Sequence, residues 1–499
     1  MPYAVLYSRA NAGLHAPLVR VEVDLSNGLP AFTVVGMPET AVRESRDRVR
    51  SAILNSHLEF PDRRITVNLA PADLPKEGGR FDLPIALAIL GASGQLATET
   101  LDRTECLGEL ALDGGLQPVC GGVAATLAAT ADGHRIVLPP GTAERATRVR
   151  DSRVLSATDL LSLCALLRSG NAAPLAPTPA AKSLRTAKDL AEVVGQQTAR
   201  RALEITAAGG HNLLLLGPPG TGKSLLASCL PGILPPPSAQ EALETLALHD
   251  LQGSSVNEQE RPFRAPHHSA SAAALIGGGS RPRPGEASLA HGGVLFLDEL
   301  PEFSRHALNM LREPMESGVI DLARARARVR YPARFQLVAA MNPCPCGYAN
   351  DPTRSCRCTP AQRDRYASRV SGPLLDRMDL QYRLEREESG ALLSDASPGE
   401  ASSTVRQRVC RARQLQQRRQ GCDNAALSGK ALLRHCALGR SEKALMSGAA
   451  KRLQLSARAL HRCLRVARSI ADLREQARVT GAELAEALSY RFADEAEDG

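Results

Sequence analysis

The sequence predicts an α/β chain in three parts: an N-terminal α/β domain, a parallel-sheet core around a phosphate loop, and a C-terminal all-α region. Three observations carry this. Residues 1–168 alternate strand-like segments ("LVRVEVDL", "AFTVVG") with helical ones ("ETAVRESRDRVRSAIL", "FDLPIALAILGAS"). Residues 211–230, "HNLLLLGPPGTGKSLLASCL", run from four consecutive leucines through a glycine-rich turn into a helix. From about residue 400 the pattern is helical throughout, as in "SSTVRQRVCRARQLQQRRQ" and "SARALHRCLRVARSIADLREQ".

Composition bounds the partners. With 499 residues, 43% of them apolar, the chain can bury several cores. Aromatic residues are 3% of the total and tryptophan is absent, which argues against a binding face built mainly on ring stacking. The net charge is +8, yet residues 401–499 hold 19 lysines and arginines against 10 carboxylates. The whole surplus therefore lies in the last fifth of the chain, as expected for a polyanionic partner or for a solvated basic helical face. Twelve cysteines with no signal peptide ahead of them point to a reducing cytoplasm. No apolar run reaches membrane-spanning length, so no membrane is expected as a partner.

Taken in order, residues 1–168 form the first domain and 169–188 a linker, whose alanine and proline content leaves no period with which to build a core. The core, 189–395, opens with "DLAEVVGQQTARRALEITAAGG" and enters the phosphate loop through the strand Leu213–Leu216. Gly217, Pro218, Pro219, Gly220, Thr221, Gly222, Lys223 and Ser224 complete G-x-x-x-x-G-K-[ST]. Glycines let backbone N–H groups approach a polyphosphate, and the following helix N-terminus adds partial positive charge. Lys223 suits the β- and γ-phosphates of ATP, and the Ser224 hydroxyl suits Mg²⁺.

A second apolar strand, Val294–Leu297, delivers Asp298 and Glu299. Asp298 suits support of Mg²⁺ and Glu299 suits polarisation of an attacking water. Before it, "RPFRAPHHSAS" carries Arg261, Arg264, His267 and His268. Consecutive histidine side chains should diverge, which favours a polar loop contact over a metal site. From Ala323 to Arg330 small or apolar residues alternate with Arg324, Arg326, Arg328 and Arg330, which a strand would project from one face. That pattern reads either as a charged edge strand or as a hairpin aimed at a phosphate backbone, with Gly318 offering a turn and Pro332 closing the element. The strand "FQLVAA" then ends at Asn342, beside the carboxylate strand, where an amide can orient water or touch the γ-phosphate.

Next come Cys344, Cys346, Cys356 and Cys358, two C-x-C pairs nine residues apart. They are expected either to close one S₄ Zn²⁺ site or to remain reduced structural thiols. A helix is expected to end near Ser371-Gly372, ahead of Arg377 between Asp376 and Asp379. The last part, 396–499, is the helical domain; Ser456 should cap a helix carrying Arg458, Arg462 and Arg465 on one face. One of these is expected to return to the nucleotide, and the tail "DEAEDG" reads as disordered.

Two resemblances add to this. "PADLPKEGGRFDLPIALAIL" and "LGELALDGGLQPVCGGVAATLAA" resemble the Lon-type proteolytic domain, a ribosomal-S5-like α/β fold, with Arg80 and Ala124 at the positions of its nucleophile and general base. Without those groups there is no acyl transfer, so the domain is expected to be catalytically dead. Behind it, "GPPGTGKS", "RPFRAPHHSAS", "GVLFLDEL", "AAMNPCPCG" and "SGPLLDRMDL" follow in an order that resembles the magnesium-chelatase-like AAA+ ATPases of the YifB/ComM group. The resemblance implies a hexameric ring with ATP between subunits. It places Val194 and Gly195 around adenine, Arg377 as an arginine finger supplied in trans, Arg458 as the sensor 2 arginine of a helical lid, and Arg324–Arg330 as a pore hairpin. It further implies a DNA helicase driving branch migration as incoming strands are integrated in natural transformation. A metal-insertion or protein-remodelling motor, an ATP-dependent protease and a nucleotide switch remain the alternatives.

Overall fold

The computed structural model describes residues 2–36, 44–74, 76–169, 173–176, 187–254, 256–279, 282–324, 327–349, 351–386 and 399–491. Most of the linker and the acidic tail lie outside these.

The first unit is a mixed seven-stranded sheet. Its strands are β1 (Tyr3–Arg9), β2 (Leu18–Ser26), β3 (Ala31–Val35), β4 (Arg64–Ala70), β5 (Thr104–Cys106), β6 (Arg135–Val137) and β7 (Val154–Leu155), in the order β3-β4-β2-β1-β5-β6-β7. In β2 the alternating Val19, Val21, Val23 and Leu25 are buried, as a half-covered strand requires. They meet the helix Asp82–Ala92, every residue of which is buried.

The second unit is a five-stranded parallel sheet. It comprises β8 (Leu213–Leu216), β9 (Phe263–Arg264), β10 (Val294–Leu297), β13 (Gln336–Met341) and β14 (Leu380–Arg383), in the order β9-β10-β13-β8-β14. All four residues of β8 and of β10 are buried, because a parallel sheet is covered on both faces. Two further strands, β11 (Val319–Arg324) and β12 (Ala327–Pro332), pair with each other outside this sheet. Five helices close the described chain: Ser402–Gln420, Gly429–Cys436, Arg440–Arg452, Ala457–Leu473 and Gly481–Ser489. Their Val405, Val409, Leu464 and Ile470 share one apolar core with Leu203, Leu213 and Leu215, so the helical region is packed onto the parallel sheet's own core.

Asp250 joins the first two units. It is fully buried at the end of the helix Ala239–Asp250. Its carboxylate accepts the Val123 N–H at 3.0 Å, at the start of the helix Gly122–Ala131, and the Arg145 guanidinium at 2.8 Å. A carboxylate from one unit therefore satisfies an otherwise unpaired N–H at a helix N-terminus of the other. Leaving these donors unmet costs roughly 1–3 kcal/mol. Asp250→Ala is expected to loosen this joint, seen as faster proteolysis between residues 169 and 188 and an earlier first transition in calorimetry; an unchanged cleavage rate would show that the apolar contacts suffice.

Candidate functional site

Every strand of the parallel sheet points the same way, so the residues that follow β8, β10 and β13 gather at one end of it. The loop after β8 turns through Gly220 and Gly222 at φ +81° and +84°, and a Cβ at either would meet nothing. The glycines are therefore required by backbone conformation, not by space. Lys223 begins the helix Lys223–Ile233, and its Nζ donates to Gly217 O at 2.7 Å, Pro218 O at 2.8 Å and Asn342 Oδ1 at 3.1 Å. Burial lowers the pKa of its ammonium group, and nearby Asp298 opposes that shift. Ser224 Oγ donates to Asp298 Oδ2 at 2.6 Å. Lys223, Ser224, Asp298 and Asn342 are thus drawn together by hydrogen bonds and charge at the ends of three different strands.

Glu299 stands beside them with φ +52°, its N–H donating to Asp298 Oδ1 at 2.9 Å and its side chain about half exposed. Its Oε2 lies 3.0 Å from His268 Nδ1. The histidines do not diverge as expected: the rings of His267 and His268 sit 4.1 Å apart, because the chain turns there instead of continuing as strand or helix. The pairing of His268 with Glu299 had no sequence signal beyond the presence of two polar residues. Arg261 and Arg264 are absorbed locally, by Glu241 and backbone carbonyls and by Glu286 respectively.

Val194 is exposed and Gly195 adopts φ +64°. The next residue, Gln196, donates to Glu385 O at 2.9 Å. Neighbouring Leu384 donates to Leu216 O and places its carbonyl 2.8 Å from where a Cβ of Gly217 would stand. The Val194–Gly195 segment is therefore tied to the phosphate loop through the end of β14.

Four thiols follow Asn342. Cys344 Sγ lies 3.3 Å from Cys346 Sγ and 3.6 Å from Cys356 Sγ, Cys346 Sγ lies 3.6 Å from Cys356 Sγ, and all four sulfurs including Cys358 fall within 4.8 Å of one another. Tetrahedral thiolates at about 2.3 Å from zinc would be separated by about 3.8 Å, so the donor set fits that ion. Backbone N–H groups of Arg357 and Tyr348 pull the Cys346 thiol down to about 6.

Of the two arrangements read for the arginine run, a single charged strand and a hairpin, the chain forms the hairpin. The run Ala323–Arg330 is not one strand: the chain reverses within it, pairing Arg324 with Ala327 and Asp321 with Arg330. Apolar residues explain the reversal, since Ile320, Leu322, Val329 and Tyr331 must all reach the same buried face. Arg328 and Arg330 stand on the exposed face of β12, and Arg330 makes a bidentate pair with Asp321 at 2.8 and 2.9 Å. Arg324 ends β11, and Arg326 lies outside the described residues.

Arg377 and Arg458 are brought together, but away from the phosphate loop of their own chain. A helix closes at Ala367, and Ser371 precedes a second short one, Gly372–Leu375; Pro373 suits such a first turn, which corrects the expected helix end there. Arg377 follows, donating to Pro373 O at 2.7 Å and pairing with Glu316, not with its flanking aspartates. Asn212, which precedes β8, donates to Arg377 O at 3.1 Å, so Arg377 lies where the strands begin. Ser456 does cap the helix Ala457–Leu473, and Arg458, Arg462 and Arg465 all line a cleft of about 900 Å³ with Arg377 at that same end. Arg458 is exposed and has no ion pair among the described residues. Seven arginines against four carboxylates line this cleft, and Glu241, Glu316, Asp423 and Asp379 pair with Arg261, Arg377, Arg413 and Arg462, so the cleft carries a net positive charge. In the first unit, Arg80 is buried and donates to Cys120 O, with burial lowering its pKa to about 10; Ala124 is buried nearby in the helix Gly122–Ala131.

Comparison with known proteins matches these units in turn. Residues 189–392 fit the family described as magnesium chelatase, subunit ChlI; residues 21–142 fit subunit ChlI of Mg-chelatase, and residues 399–491 its C-terminal part. The chain is 50% identical to the YifB protein of Salmonella typhimurium, over 99% of this chain and 98% of that one. It is 48% identical to the competence protein ComM of Haemophilus influenzae, over 98% of each. The magnesium-chelatase 38 kDa subunit of Cereibacter sphaeroides is 29% identical over 171 residues, 30% of this chain and 51% of that one. The family implies ATP and Mg²⁺ as cofactors, and no helix among the described residues is long and apolar enough to cross a membrane. With its phosphate loop, paired carboxylates and helical C-terminal region in one parallel-sheet frame, the chain belongs to the YifB/ComM family of magnesium-chelatase-like AAA+ ATPases.

Proposed function

We propose that this protein is a hexameric, ATP-driven ring translocase on DNA that supports integration of incoming strands during natural transformation. The observation that carries the reading is the hairpin β11–β12. It presents Arg328 and Arg330 to solvent, and it runs through Ala333–Phe335 directly into β13, which is followed by Asn342. A phosphate backbone held by the hairpin would thus be connected to the ATP site by a single strand. The relative named a competence protein, 48% identical along its length, supports the biological setting.

ATP and Mg²⁺ fit the residues present. The hydroxyl of Ser224 and the carboxylate of Asp298 offer two adjacent oxygens for Mg²⁺, which neutralises phosphate charge when bound. Lys223 holds the phosphates, Asn342 and Glu299 orient water, and Val194 and Gly195 border the base. Arg377 and Arg458 serve the nucleotide of the adjacent subunit. Cys344, Cys346, Cys356 and Cys358 hold structural Zn²⁺, their S₄ geometry leaving no open position for catalysis. Arg80 and Ala124 leave the Lon-like domain without peptidase chemistry. The protein acts in the cytoplasm.

The test is ATP turnover with and without single-stranded and branched DNA. DNA is expected to raise the rate several-fold. Changing Arg324, Arg326, Arg328 and Arg330 together to alanine is expected to abolish that rise and keep the basal rate. It should also flatten the salt dependence of DNA binding, by about 0.7–0.9 in slope for each phosphate that is no longer neutralised. A second reading, a motor acting on a protein partner, draws on the match to the magnesium-chelatase subunit; a rate indifferent to every DNA would favour it.

A further inference from the structure

We infer that the cysteine loop is a metal-tied clamp on the hydrolysis site, which sets the position of Asn342 and of the phosphate loop together. The inference rests on the zinc reading and goes beyond a structural staple. Three features of the loop support it.

First, Cys344 follows Asn342 by two residues and is fully buried, so fixing its sulfur fixes the end of β13. Second, the loop between the thiol pairs leans on the phosphate loop. Gly347 adopts φ +85°, and a Cβ there would stand 2.7 Å from Pro219 Cδ and 3.9 Å from Asn342 Cγ. Gly347 is thus a bare spot through which the cysteine loop approaches both the phosphate loop and the amide that binds Lys223. Third, the loop is closed from its far end. Cys358 immediately precedes Thr359, the N-cap of the helix Pro360–Ala367. That helix carries Tyr366, which is buried and whose phenol lies close enough to the backbone N–H of Asn342 for that N–H to oppose the rise in its pKa that burial causes.

The four sulfurs therefore close a circuit: Asn342, Cys344, the Gly347 turn on Pro219, Cys358, Tyr366 and back to Asn342. Lys223 bridges it, since its Nζ donates both to Asn342 Oδ1 and to the Gly217 and Pro218 carbonyls. A loop rich in proline, glycine and asparagine has no apolar core of its own to hold that geometry. A tetrahedral metal would hold it, with about 2.3 Å bonds that permit little play. Loss of the metal should then degrade turnover without removing any residue that touches nucleotide. Pro219 and Asn342 move together in this scheme, so nucleotide on the phosphate loop should be felt at the sulfurs.

The experiment uses the full chain with Co²⁺ in place of Zn²⁺, whose tetrahedral thiolate absorption in the visible reports the sulfur geometry. Wild-type protein is expected to take one Co²⁺ per chain, with bands that shift when a non-hydrolysable ATP analogue saturates the site. The same bands should not shift in Lys223→Ala. In parallel, Gly347→Ala, which leaves all four thiols in place, is expected to keep one zinc per chain by elemental analysis while kcat falls about tenfold through misplacement of the site. Absence of cobalt bands, with zinc far below one per chain, would overturn the metal reading and the clamp with it. Bands present but unmoved by the analogue, with kcat unchanged in Gly347→Ala, would overturn the clamp and leave the zinc site standing.

Discussion

Glu299→Gln is expected to lower ATP turnover by roughly 10²–10⁴-fold, the range for removing a general base, while leaving ATP affinity within a few-fold of the parent. The geometry separates the two carboxylates that follow β10. Asp298 is engaged with Ser224 and with the Glu299 N–H, which suits it to hold a cation's surroundings. Glu299 is turned away by its left-handed backbone, half exposed and facing His268, which leaves its oxygens available to water. Glutamine keeps the shape and a polar group for His268 but cannot take a proton. Lys223→Ala provides the contrast, because it removes the cation that spans the loop carbonyls and Asn342, and should lose binding as well as turnover. Turnover by Glu299→Gln within threefold of the parent would place the base elsewhere.

Sequence is most informative where backbone conformation and chemistry coincide. The strand Leu213–Leu216 and its helix from Lys223 are found as read, and so is Val294–Leu297, because an unbroken apolar run bounded by glycine or by carboxylates has few alternatives in a parallel sheet. The arginine run reads equally as one strand or as a hairpin because its period of two is obeyed on both sides of the reversal. Only the burial of Leu322 and Val329 on a shared face decides for the hairpin. The pairing of Glu299 with His268 is not legible, since the two are 31 positions apart and meet only when β9 and β10 lie side by side. Nor is the joint at Asp250, a lone aspartate at the end of an ordinary helix whose partners are a backbone N–H and an arginine more than 100 positions away. Such contacts are set by how domains dock, which no local pattern records.

Arg377→Ala is expected to reduce turnover on the order of 10³-fold, the loss that removing an arginine finger brings, with nucleotide affinity little changed. Within one chain Arg377 is far from the phosphate loop. The carbonyl of Arg377 is held by Asn212 at the start of β8, and the loop begins after Leu216, a strand of four residues or about 13 Å away at 3.3 Å per residue. Arg458 shares that end of the sheet, so both arginines are available only to something docked against the cleft they line. In the proposed ring, a second copy presenting the nucleotide on its own phosphate loop would bring an anion to a cleft lined by seven arginines and four carboxylates. A head-to-tail contact of this kind closes into a ring when its rotation permits. Mixing resolves the question. Lys223→Ala and Arg377→Ala are each expected to be inactive alone, but a mixed ring would contain interfaces in which an intact phosphate loop meets an intact Arg377. With equal amounts and random assembly, about a quarter of the heterologous interfaces are of that kind, and turnover should return to roughly that fraction of the parent rate. A mixture as inactive as its components would mean that Lys223 and Arg377 act within one chain, which the separation of the two ends of β8 does not permit without a rearrangement of the sheet itself.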